Sequence, residues 1–257
     1  MASVDRGVPI WARPEPGARR PRLTRAGIAA AALELADREG FEAVSMRRVA
    51  AELGAGAMSL YHYVRTKSDL VALMDDALMA EALVPERELP AGWRAALTEL
   101  ARRTWALLLR HPWALGAFQE SQFGPNAMRH FEQSLAAVAG TGLAARERLE
   151  LLALVDAYVS GSALQAGESL KRAALARADP EMVRRATESG LAQLRAGGFP
   201  HTEALIAGGD PDSPAGPPME PGALEAQFER GLQMLLDGAQ TGMGLAAGSV
   251  PAQPGRA

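Results

Sequence analysis

Residues 23–74 read LTRAGIAAAALELADREGFEAVSMRRVAAELGAGAMSLYHYVRTKSDLVALM, and signals for the starts and ends of helices follow one another through this stretch. Thr24 can cap a first helix with its side-chain oxygen, and Gly40 supplies the backbone freedom with which helices commonly end. Between them, apolar residues recur at helical spacing at Ile28, Ala31, Leu35 and Ala36. The stretch therefore opens with a helix that buries one face.

Two shorter helices are predicted next. Ser45 can cap a second helix that ends at Gly54, and a third helix is predicted from about Ala57 to Val64. Gly54 lies where the bend requires an unusual backbone. Two short helices joined by a tight turn can place the second in the major groove of DNA while the first braces the phosphate backbone. Residues 45–64 therefore predict a helix-turn-helix.

The rest of the chain is also predicted to be helical. Thr66 and Asp69 stand three residues apart, close to the capping-box pattern, and open a fourth helix through Leu70 to Leu78. A long helix begins at Trp93 and stops at His111 and Pro112. Further helices are predicted over 113–121, 125–139, 144–177, 180–197 and 221–238. Since no stretch alternates apolar and polar residues long enough for a strand, the chain is predicted to be all-α.

Composition divides the chain into four parts. Residues 1–21 hold four Pro and four Arg among small residues and are expected to form a flexible basic arm. The helix-turn-helix domain is expected over residues 22–69 and a larger helical domain over 70–240. Within the latter, the Gly- and Pro-rich residues 198–222 predict a long loop, and residues 241–257 predict a flexible tail.

Several classes of protein are excluded by composition. The chain has no Cys, so disulfides and thiolate metal sites are impossible. No run approaches the roughly 20 apolar residues that span a bilayer, and the N-terminus lacks an apolar signal core, so we expect a cytoplasmic protein without a membrane partner. The segment between Arg19 and Lys67 carries nine basic and five acidic residues, a net +4, within a chain of net charge −3. A basic module on an acidic body favours contact with phosphate, although chance clustering would give the same count.

The run from Leu23 to Met74 closely resembles the N-terminal domain of the TetR family of repressors. Its most specific parts are LYHYV at residues 60–64 and Lys67, at the start of the fourth helix. The resemblance implies an N-terminal three-helix, helix-turn-helix domain that binds double-stranded operator DNA, followed by a larger domain that binds a small-molecule effector and forms a homodimer. The run His111-Pro112-Trp113, the long loop and the closing helix are more loosely similar to the C-terminal domains of the tetracycline-repressor subgroup.

This resemblance, checked against side-chain chemistry, gives the expected DNA-binding residues. Arg47 can reach a guanine edge or a phosphate, while Lys67 can hold a phosphate at a helix N-terminus. Tyr61, His62 and Tyr63 correspond to family positions that contact bases or the sugar-phosphate chain, and Tyr61 is the one expected to be partly core. The remaining candidates are Met58 and Ser59 on the recognition helix and the capping hydroxyls Thr24, Ser45 and Thr66, whose alternative role is capping alone. Arg19, Arg20 and Arg22 would either follow the minor groove or only solubilise the arm.

An effector pocket between helices should be mostly apolar with a few polar anchors. Among the polar candidates, His111 is singled out because it ends a helix before a proline, where its alternative role is to cap that helix. The full set is Trp105, Leu109, His111, Trp113, Phe118, Phe123, Asn126, Met128, Phe131, Asp156, Tyr158 and Gln165, of which about half are expected to be ordinary core. No compact cluster of metal ligands is visible, so neither a metal nor another cofactor is predicted.

Dimerisation is expected because one recognition helix reads only half of a palindromic site. The long helix from Ala144 and the last helix would form a four-helix junction, unless their apolar stripes are core within one protomer. The stripes consist of Leu154, Val155, Tyr158, Leu164, Leu232 and Leu235. Effector binding would favour a dimer whose recognition helices are wrongly spaced for DNA, and the fourth helix would carry this change.

Two other functions compete with a ligand-released repressor. An activator or a ligand-blind DNA-binding protein of the same fold is not distinguished by sequence. A helical enzyme would need one of four histidines to act with a carboxylate, yet they fall at unrelated spacings without an HExxH or nucleophile motif. Those histidines are His62, His111, His130 and His201. We therefore predict no enzymatic activity.

Overall fold

The computed structural model describes residues 8–16, 23–117, 123–207 and 221–246. These described residues form α-helices and short 3₁₀ turns and contain no strand, which confirms the predicted all-α fold. None of the described helices combines the length and apolarity that a bilayer crossing requires. The helices are α1 (Arg25–Glu39), α2 (Met46–Glu52), α3 (Ala57–Tyr61), α4 (Lys67–Ala82), α5 (Trp93–Arg110), α6 (Ala114–Ala117), α7 (Pro125–Val138), α8 (Ala145–Ala178), α9 (Pro180–Arg195), α10 (Pro200–Ala207) and α11 (Pro221–Gly242).

The predicted helix starts lie at the predicted caps. The Thr24 hydroxyl accepts a hydrogen bond from a backbone N–H one turn into α1, at 3.0 Å, and the Ser45 hydroxyl does the same for α2, at 3.3 Å. Thr66 and Asp69 complete a capping box at the start of α4. Each bond satisfies a donor that the first turn of a helix leaves without a partner. Gly54, with φ +60°, makes the bend between α2 and α3.

The third helix is shorter than predicted, because it ends at Tyr61 and not at Val64. Val64 still donates its N–H to the carbonyl of Leu60 at 3.0 Å, and its side chain is buried. Thr66 must adopt an extended backbone, with φ −135° and ψ 163°, in order to cap α4. The chain therefore leaves helical geometry within the few residues before that cap.

The prediction of a flexible arm over residues 1–21 is wrong for the described residues 8–16. Ile10 lies in a 3₁₀ turn and is completely buried in the core that α1, α2, α3 and α4 share. Arg13 forms an ion pair with the buried Asp69 of α4 and accepts, through its carbonyl, a hydrogen bond from Arg25 of α1 at 2.9 Å. The many prolines of this segment restrict its backbone, which lowers the entropic cost of ordering it. The arm residues Arg19, Arg20 and Arg22 lie outside the described residues.

Contacts divide the described residues into two compact units. One unit comprises the chain up to Ala163 together with the residues from Met234 onward, and the other is Leu164–Gln233. Helices α5, α7 and the first half of α8 belong to the first unit. The second unit contains α9 and α10; the latter lies within the loop predicted over residues 198–222, so that prediction is wrong for its first part. Pro200 is the first of the eight residues of α10, and Pro is well suited to the first turn of a helix.

Candidate nucleic-acid interface and internal cavity

Helix α2 presents two adjacent arginines with different surroundings. Arg48 donates to Glu39 of α1 at 2.8 Å, and the hydrogen bond from Arg48 lowers the pKa of the Glu39 carboxyl. Arg38 bridges Glu39 and Glu52, which extends the same network between α1 and α2. Arg47 is exposed and has no hydrogen bond or ion pair with any residue that the structure describes. Its guanidinium therefore remains available to an external anion.

Helix α3 and the turn after it expose most of the predicted recognition residues. Met58 is 77% exposed, and Ser59 and His62 are also exposed. The prediction that Tyr61 is partly core is wrong, since Tyr61 is 44% exposed while Tyr63 is partly buried against the core of α1 to α4. Tyr63 lies beyond the end of α3 at Tyr61, so its position no longer follows the periodicity of the helix.

The N-termini of α1, α2 and α4 each carry an exposed capping residue. Thr24, Ser45 and Thr66 occupy these positions, where each hydroxyl oxygen accepts a backbone N–H and can still donate its own hydrogen. Lys67 is the first residue of α4, and its Nζ lies 5.2 Å from the centre of the Phe41 ring, within cation–π range. A cation and a helix N-terminus together favour an anionic ligand such as phosphate.

The Asp69 carboxylate offsets part of the positive charge at the N-terminus of α4, but it is buried and does not occupy the surface that an external anion would contact. Burial disfavours its ionised form, but hydrogen bonds from Arg13 and from the backbone N–H groups of Arg65 and Thr66 outweigh burial, and the pKa of Asp69 is lowered. The two backbone bonds are 2.9 and 3.2 Å long. The carboxylate thus stays charged and is held inside by its partners.

His111, predicted as an effector anchor, contacts the first helix instead. It is buried at the C-terminal cap of α5, and its Nδ1 lies 2.7 Å from Oδ1 of Asp37 on α1. The indole of Trp113 donates to the same oxygen at 2.7 Å and stacks on Phe41, with ring centres 5.9 Å apart. Since Phe41 also contacts Lys67, an unbroken set of contacts joins the end of α5 to the start of α4.

A cavity of about 780 Å³ lies inside the first unit, walled by α4, α5, α7 and α8. This volume is within the range of about 300–1,000 Å³ that is typical of small-molecule sites. Most of its lining is apolar, and the polar residues of the lining are Asp75, Thr104, His130, Ser134, Asp156 and Ser160. The cavity can therefore hold an apolar ligand with a few polar groups.

His130 is a titratable residue of the cavity lining whose pKa is shifted by burial. Burial lowers the pKa of His130, and the nearby charge of Asp156 acts in the opposite direction but is the weaker effect. One ring nitrogen, Nε2, lies 3.3 Å from the Thr104 hydroxyl. The imidazole is consequently neutral at neutral pH and can donate or accept one further hydrogen bond.

The cavity includes three of the residues predicted for an effector site. Phe123, Phe131 and Asp156 line it, whereas Gln165 lies in the second unit and Phe118 lies outside the described residues. The other candidates are part of the described first unit but do not line the cavity: Trp105, Leu109, His111, Trp113, Asn126, Met128 and Tyr158. Trp105 and Leu109 each follow a lining residue of α5 by one position, which is a rotation of about 100° around the helix.

Asn126 has a different role, at a junction between α4 and α7. The carboxylate of Asp76 on α4 accepts hydrogen bonds from the backbone N–H groups of Asn126 and Ala127, at 2.7 and 3.2 Å, and from the Asn126 side chain at 2.9 Å. Asp76 is 6% exposed, so these bonds are shielded from water. A Cβ at Gly124 would overlap this carboxylate and the Trp11 ring, which explains a glycine there. A side chain of α4 thus caps the N-terminus of α7.

His130 and Thr104 were missed as cavity residues, although the sequence carries a signal for them. On α7, the lining residues are Ala127, His130, Phe131 and Ser134, which follow the i, i+3, i+4, i+7 pattern of one helix face. On α5, the lining follows the same pattern through Leu97, Leu100, Ala101, Thr104 and Leu108. A polar residue inside an otherwise apolar face was the signal, whereas half of the predicted set consists of Trp, Phe and Tyr residues.

Two family descriptions match the chain. Residues 28–74 match "Bacterial regulatory proteins, tetR family", and residues 85–243 match "Tetracyclin repressor-like, C-terminal domain". The first match contains α2, α3 and the start of α4, and the second contains the cavity lining of α5, α7 and α8.

Relatives and solved structures agree with these matches. The chain is 38% identical over 223 residues to the HTH-type transcriptional repressor DrrR1 of Streptomyces coeruleorubidus. The matched region covers 85% of this chain and 78% of that protein. It is 36% identical over 248 residues to an HTH-type transcriptional regulator of Saccharopolyspora erythraea, covering 95% and 97% of the two chains. The crystal structure of Streptomyces coelicolor ActR in complex with actinorhodin is 26% identical, with a TM-score of 0.66 over 86% of this chain and 96% of that one.

Proposed function

Since this chain belongs to the TetR family of bacterial transcriptional regulators, we propose that it is a repressor which a small molecule, bound in the cavity, releases from a palindromic operator. The observation that carries this proposal is the presence, in one chain, of an exposed helix-turn-helix and an internal cavity of about 780 Å³. We place the boundary between the DNA-binding and effector-binding domains near residue 69. Contact with chromosomal DNA requires the protein to work in the cytoplasm.

DNA recognition is proposed to use α3 in the major groove. Tyr61 and His62 are exposed there, and Arg47 on α2 is held by no described neighbour, so each can turn toward DNA. Lys67 and the capping hydroxyls would contact phosphates on either side of the groove. Tyr63, being partly buried, would contribute through its hydroxyl end or by positioning α3.

An effector is proposed to bind among α4, α5, α7 and α8. The ActR complex supports this assignment, because a structure of similar fold is described as binding actinorhodin. In this chain Phe131 would contact the ligand, and His130 would supply a neutral hydrogen-bonding group. The described lining of this pocket belongs to the first unit.

Helix α4 is proposed to couple ligand binding in the cavity to the release of DNA. This helix lines the cavity with Asp75 and Met79, caps α7 through Asp76, and begins with Lys67 beside the recognition helix. Ligand binding can shift the population of conformations only if the ligand binds one of them better. A tilt of α4 that improves the fit of α7 around a ligand would also move Lys67 and α3.

A homodimer is proposed because two half-sites need two recognition helices. On α8, Leu154 and Leu164 are both at least half exposed, which supports a role in association. Val155 and Leu232, by contrast, are buried within the protomer. The part of the predicted stripes that remains available to a partner is therefore smaller than the sequence indicated.

The function is tested by a gel-shift titration on the intergenic DNA upstream of the gene itself. Arg47→Ala and Lys67→Ala should weaken specific binding and leave the dimer intact, and each lost phosphate contact should lower the slope of log affinity against log salt by about one. Arg87→Ala, which removes an exposed arginine far from α3 along the chain, is the control. Equal binding by wild type and both variants would contradict the proposed interface.

In vitro transcription from the same fragment separates a repressor from an activator. A repressor should lower transcript yield when added and restore it when a ligand is present. A rise in transcript on addition of protein would favour the activator, and retardation that no cavity ligand alters would favour a ligand-blind DNA-binding protein.

A further inference from the structure

We propose that Arg13, in the described segment before α1, is a positioning residue for DNA binding, because its ion pair with Asp69 fixes the turn that joins α3 to Lys67. This inference rests on the proposed function, which places α3 and Lys67 against DNA. Arg13 is not itself a DNA contact in this proposal. Its side chain is 11% exposed and lies against the Asp69 carboxylate, so the guanidinium is buried and already paired.

The two oxygens of the Asp69 carboxylate have different partners. Oδ2 accepts both backbone hydrogen bonds of the turn, from the N–H of Arg65 at 2.9 Å and from that of Thr66 at 3.2 Å. Oδ1 is paired with the Arg13 guanidinium. Removal of the guanidinium would leave a buried, charged oxygen that must gain water or a proton. Because Asp69 is buried, access of water requires the surrounding turn to open.

The backbone around Arg13 is held on both sides. Ile10 is completely buried, and its carbonyl accepts a hydrogen bond from the Arg13 N–H at 3.2 Å. The Arg25 guanidinium of α1 donates to the Arg13 carbonyl at 2.9 Å, and the Arg25 N–H donates to the Glu15 carboxylate at 2.7 Å. The segment is therefore anchored on the core and on α1 at the position from which Arg13 meets Asp69. Arg25 is engaged with the same segment and does not take the place of Arg13.

The turn that Asp69 closes lies between the two elements proposed to contact DNA. Residues 62–66 connect the end of α3 at Tyr61 with Lys67, the first residue of α4. Residues 65–67 are exposed, whereas Asp69 is buried. A change in this turn alters the angle of α3 and the position of Lys67 together. The contacts that both make with DNA should therefore weaken when the ion pair is broken.

A double substitution tests whether Arg13 acts through Asp69. Arg13→Met removes the charge and keeps an aliphatic side chain, Asp69→Asn removes the carboxylate charge, and a third variant carries both changes. In gel-shift titrations on the upstream DNA, each single variant should bind about tenfold more weakly than wild type, because each leaves one buried charge without its partner. The double variant should bind within about threefold of wild type, because neither charge is left.

The titrations are made under conditions in which urea denaturation shows every variant to be folded, so that a loss of stability alone does not lower the affinity for DNA. Arg103→Met is the control, since Arg103 pairs with Glu88 and Glu99 outside the helix-turn-helix, and it should bind DNA as wild type does. The proposal is overturned if Arg13→Met binds DNA as tightly as wild type. It is also overturned if the losses of the two single variants add in the double variant, because Arg13 would then act without Asp69.

Amide hydrogen exchange, followed by mass spectrometry, examines the turn without DNA. The peptide that spans residues 62–66 should exchange about fivefold faster or more in Arg13→Met than in wild type, and the double variant should reverse most of this change, while peptides from α5 stay the same. If wild type does not retard the upstream DNA, the proposed function fails on this fragment, but the expected exchange pattern still supports the role of Arg13 in the turn. If wild type retards the DNA and this peptide exchanges equally in all variants, the proposed function stands and the role of Arg13 is overturned.

Discussion

Replacing Asp76 with alanine is expected to destabilise the protein by about 3 kcal/mol and to weaken the link between ligand and DNA binding. In the wild-type protein, the Asp76 carboxylate accepts hydrogen bonds at 2.7, 3.2 and 2.9 Å from the two backbone N–H groups and the side chain at the start of α7. The substitution removes the acceptor and leaves these donors in a site that was 6% exposed.

The magnitude follows from the chemistry of those bonds. A hydrogen bond to a charged group contributes about 1.5–3 kcal/mol, and loss of a helix cap alone costs about 1 kcal/mol. The three bonds are not additive, because one carboxylate makes all of them and water can enter the space that it leaves. Asp76→Asn keeps one acceptor oxygen for the backbone donors but sets its amide against the Asn126 amide, so about half of the loss is expected.

Urea denaturation of the wild type and both variants measures these losses. Asp237→Ala is the matched control, since the Asp237 side chain is 70% exposed and accepts from Arg94 at 2.7 Å; a surface pair of this kind contributes at most about 1 kcal/mol. A loss below about 1 kcal/mol in Asp76→Ala would refute the assigned cap. A second outcome concerns the effect of ligand on DNA binding. If Asp76→Ala is destabilised as expected but a releasing ligand lowers its DNA affinity by the same factor as in wild type, the contact between α7 and α4 does not carry the effect of the ligand to the DNA-binding helices.

Three further substitutions test other parts of the structure. Ile10→Ala should cost about 3 kcal/mol in urea denaturation, because Ile10 is completely buried; a cost near zero would mean that the N-terminal segment does not pack in solution. Asp69→Asn should be less stable than wild type at neutral pH, and the difference should shrink as the pH falls below about 4, because the lowered pKa of Asp69 confines its stabilising effect to higher pH. A pH-independent difference would point to packing instead. The wild type should lose stability as the pH falls below about 6.5, since burial lowers the pKa of His130 and disfavours its charged form. His130→Gln should remove this loss. Parallel pH profiles of stability for the two proteins would show that His130 does not cause it.

The N-terminal helices were predictable because their signals are local. Thr24, Ser45 and Thr66 each bond to a backbone group three residues away, and sequence alone shows which residues stand at that distance. Gly54 is likewise a local signal, because a glycine at a bend indicates the positive φ that it adopts here. These signals, together with helical periodicity, were enough to give the all-α fold and the order of the four N-terminal helices.

The burial of Ile10 was not predictable in the same way. It lies in a segment rich in Pro and Arg, a composition typical of a flexible arm, and its packing partners lie on helices that begin fifteen or more residues later along the chain. His111 lies at the C-terminal cap of α5, which was its alternative role, but its contact with Asp37 was not predictable for the same reason, because the two residues are 74 positions apart. A residue at a helix end before a proline can face a cavity or a neighbouring helix, and only the tertiary arrangement decides between them.

The two connections between the cavity walls and the helix-turn-helix differ in how they should respond to a ligand. The Asp76 cap is buried and charge-assisted, so separation of α4 from α7 is costly and the two helices should move together. The contact of Asp37 with His111 and Trp113 is more exposed on the Asp37 side and uses one carboxylate oxygen, so it can break or re-form at smaller cost. A ligand that displaces α7 should therefore move α4 together with α7. The end of α5 should shift relative to α1, because the Asp37 contact is the weaker one. The start of α4 should then rotate about the Asp37 contact. Asp37→Asn should therefore change the affinity for DNA in the absence of ligand, whereas Asp76→Asn should mainly change how far a ligand lowers that affinity. Gel-shift titrations with and without a releasing ligand measure both effects. Identical effects of the two substitutions would refute the different roles of the two contacts.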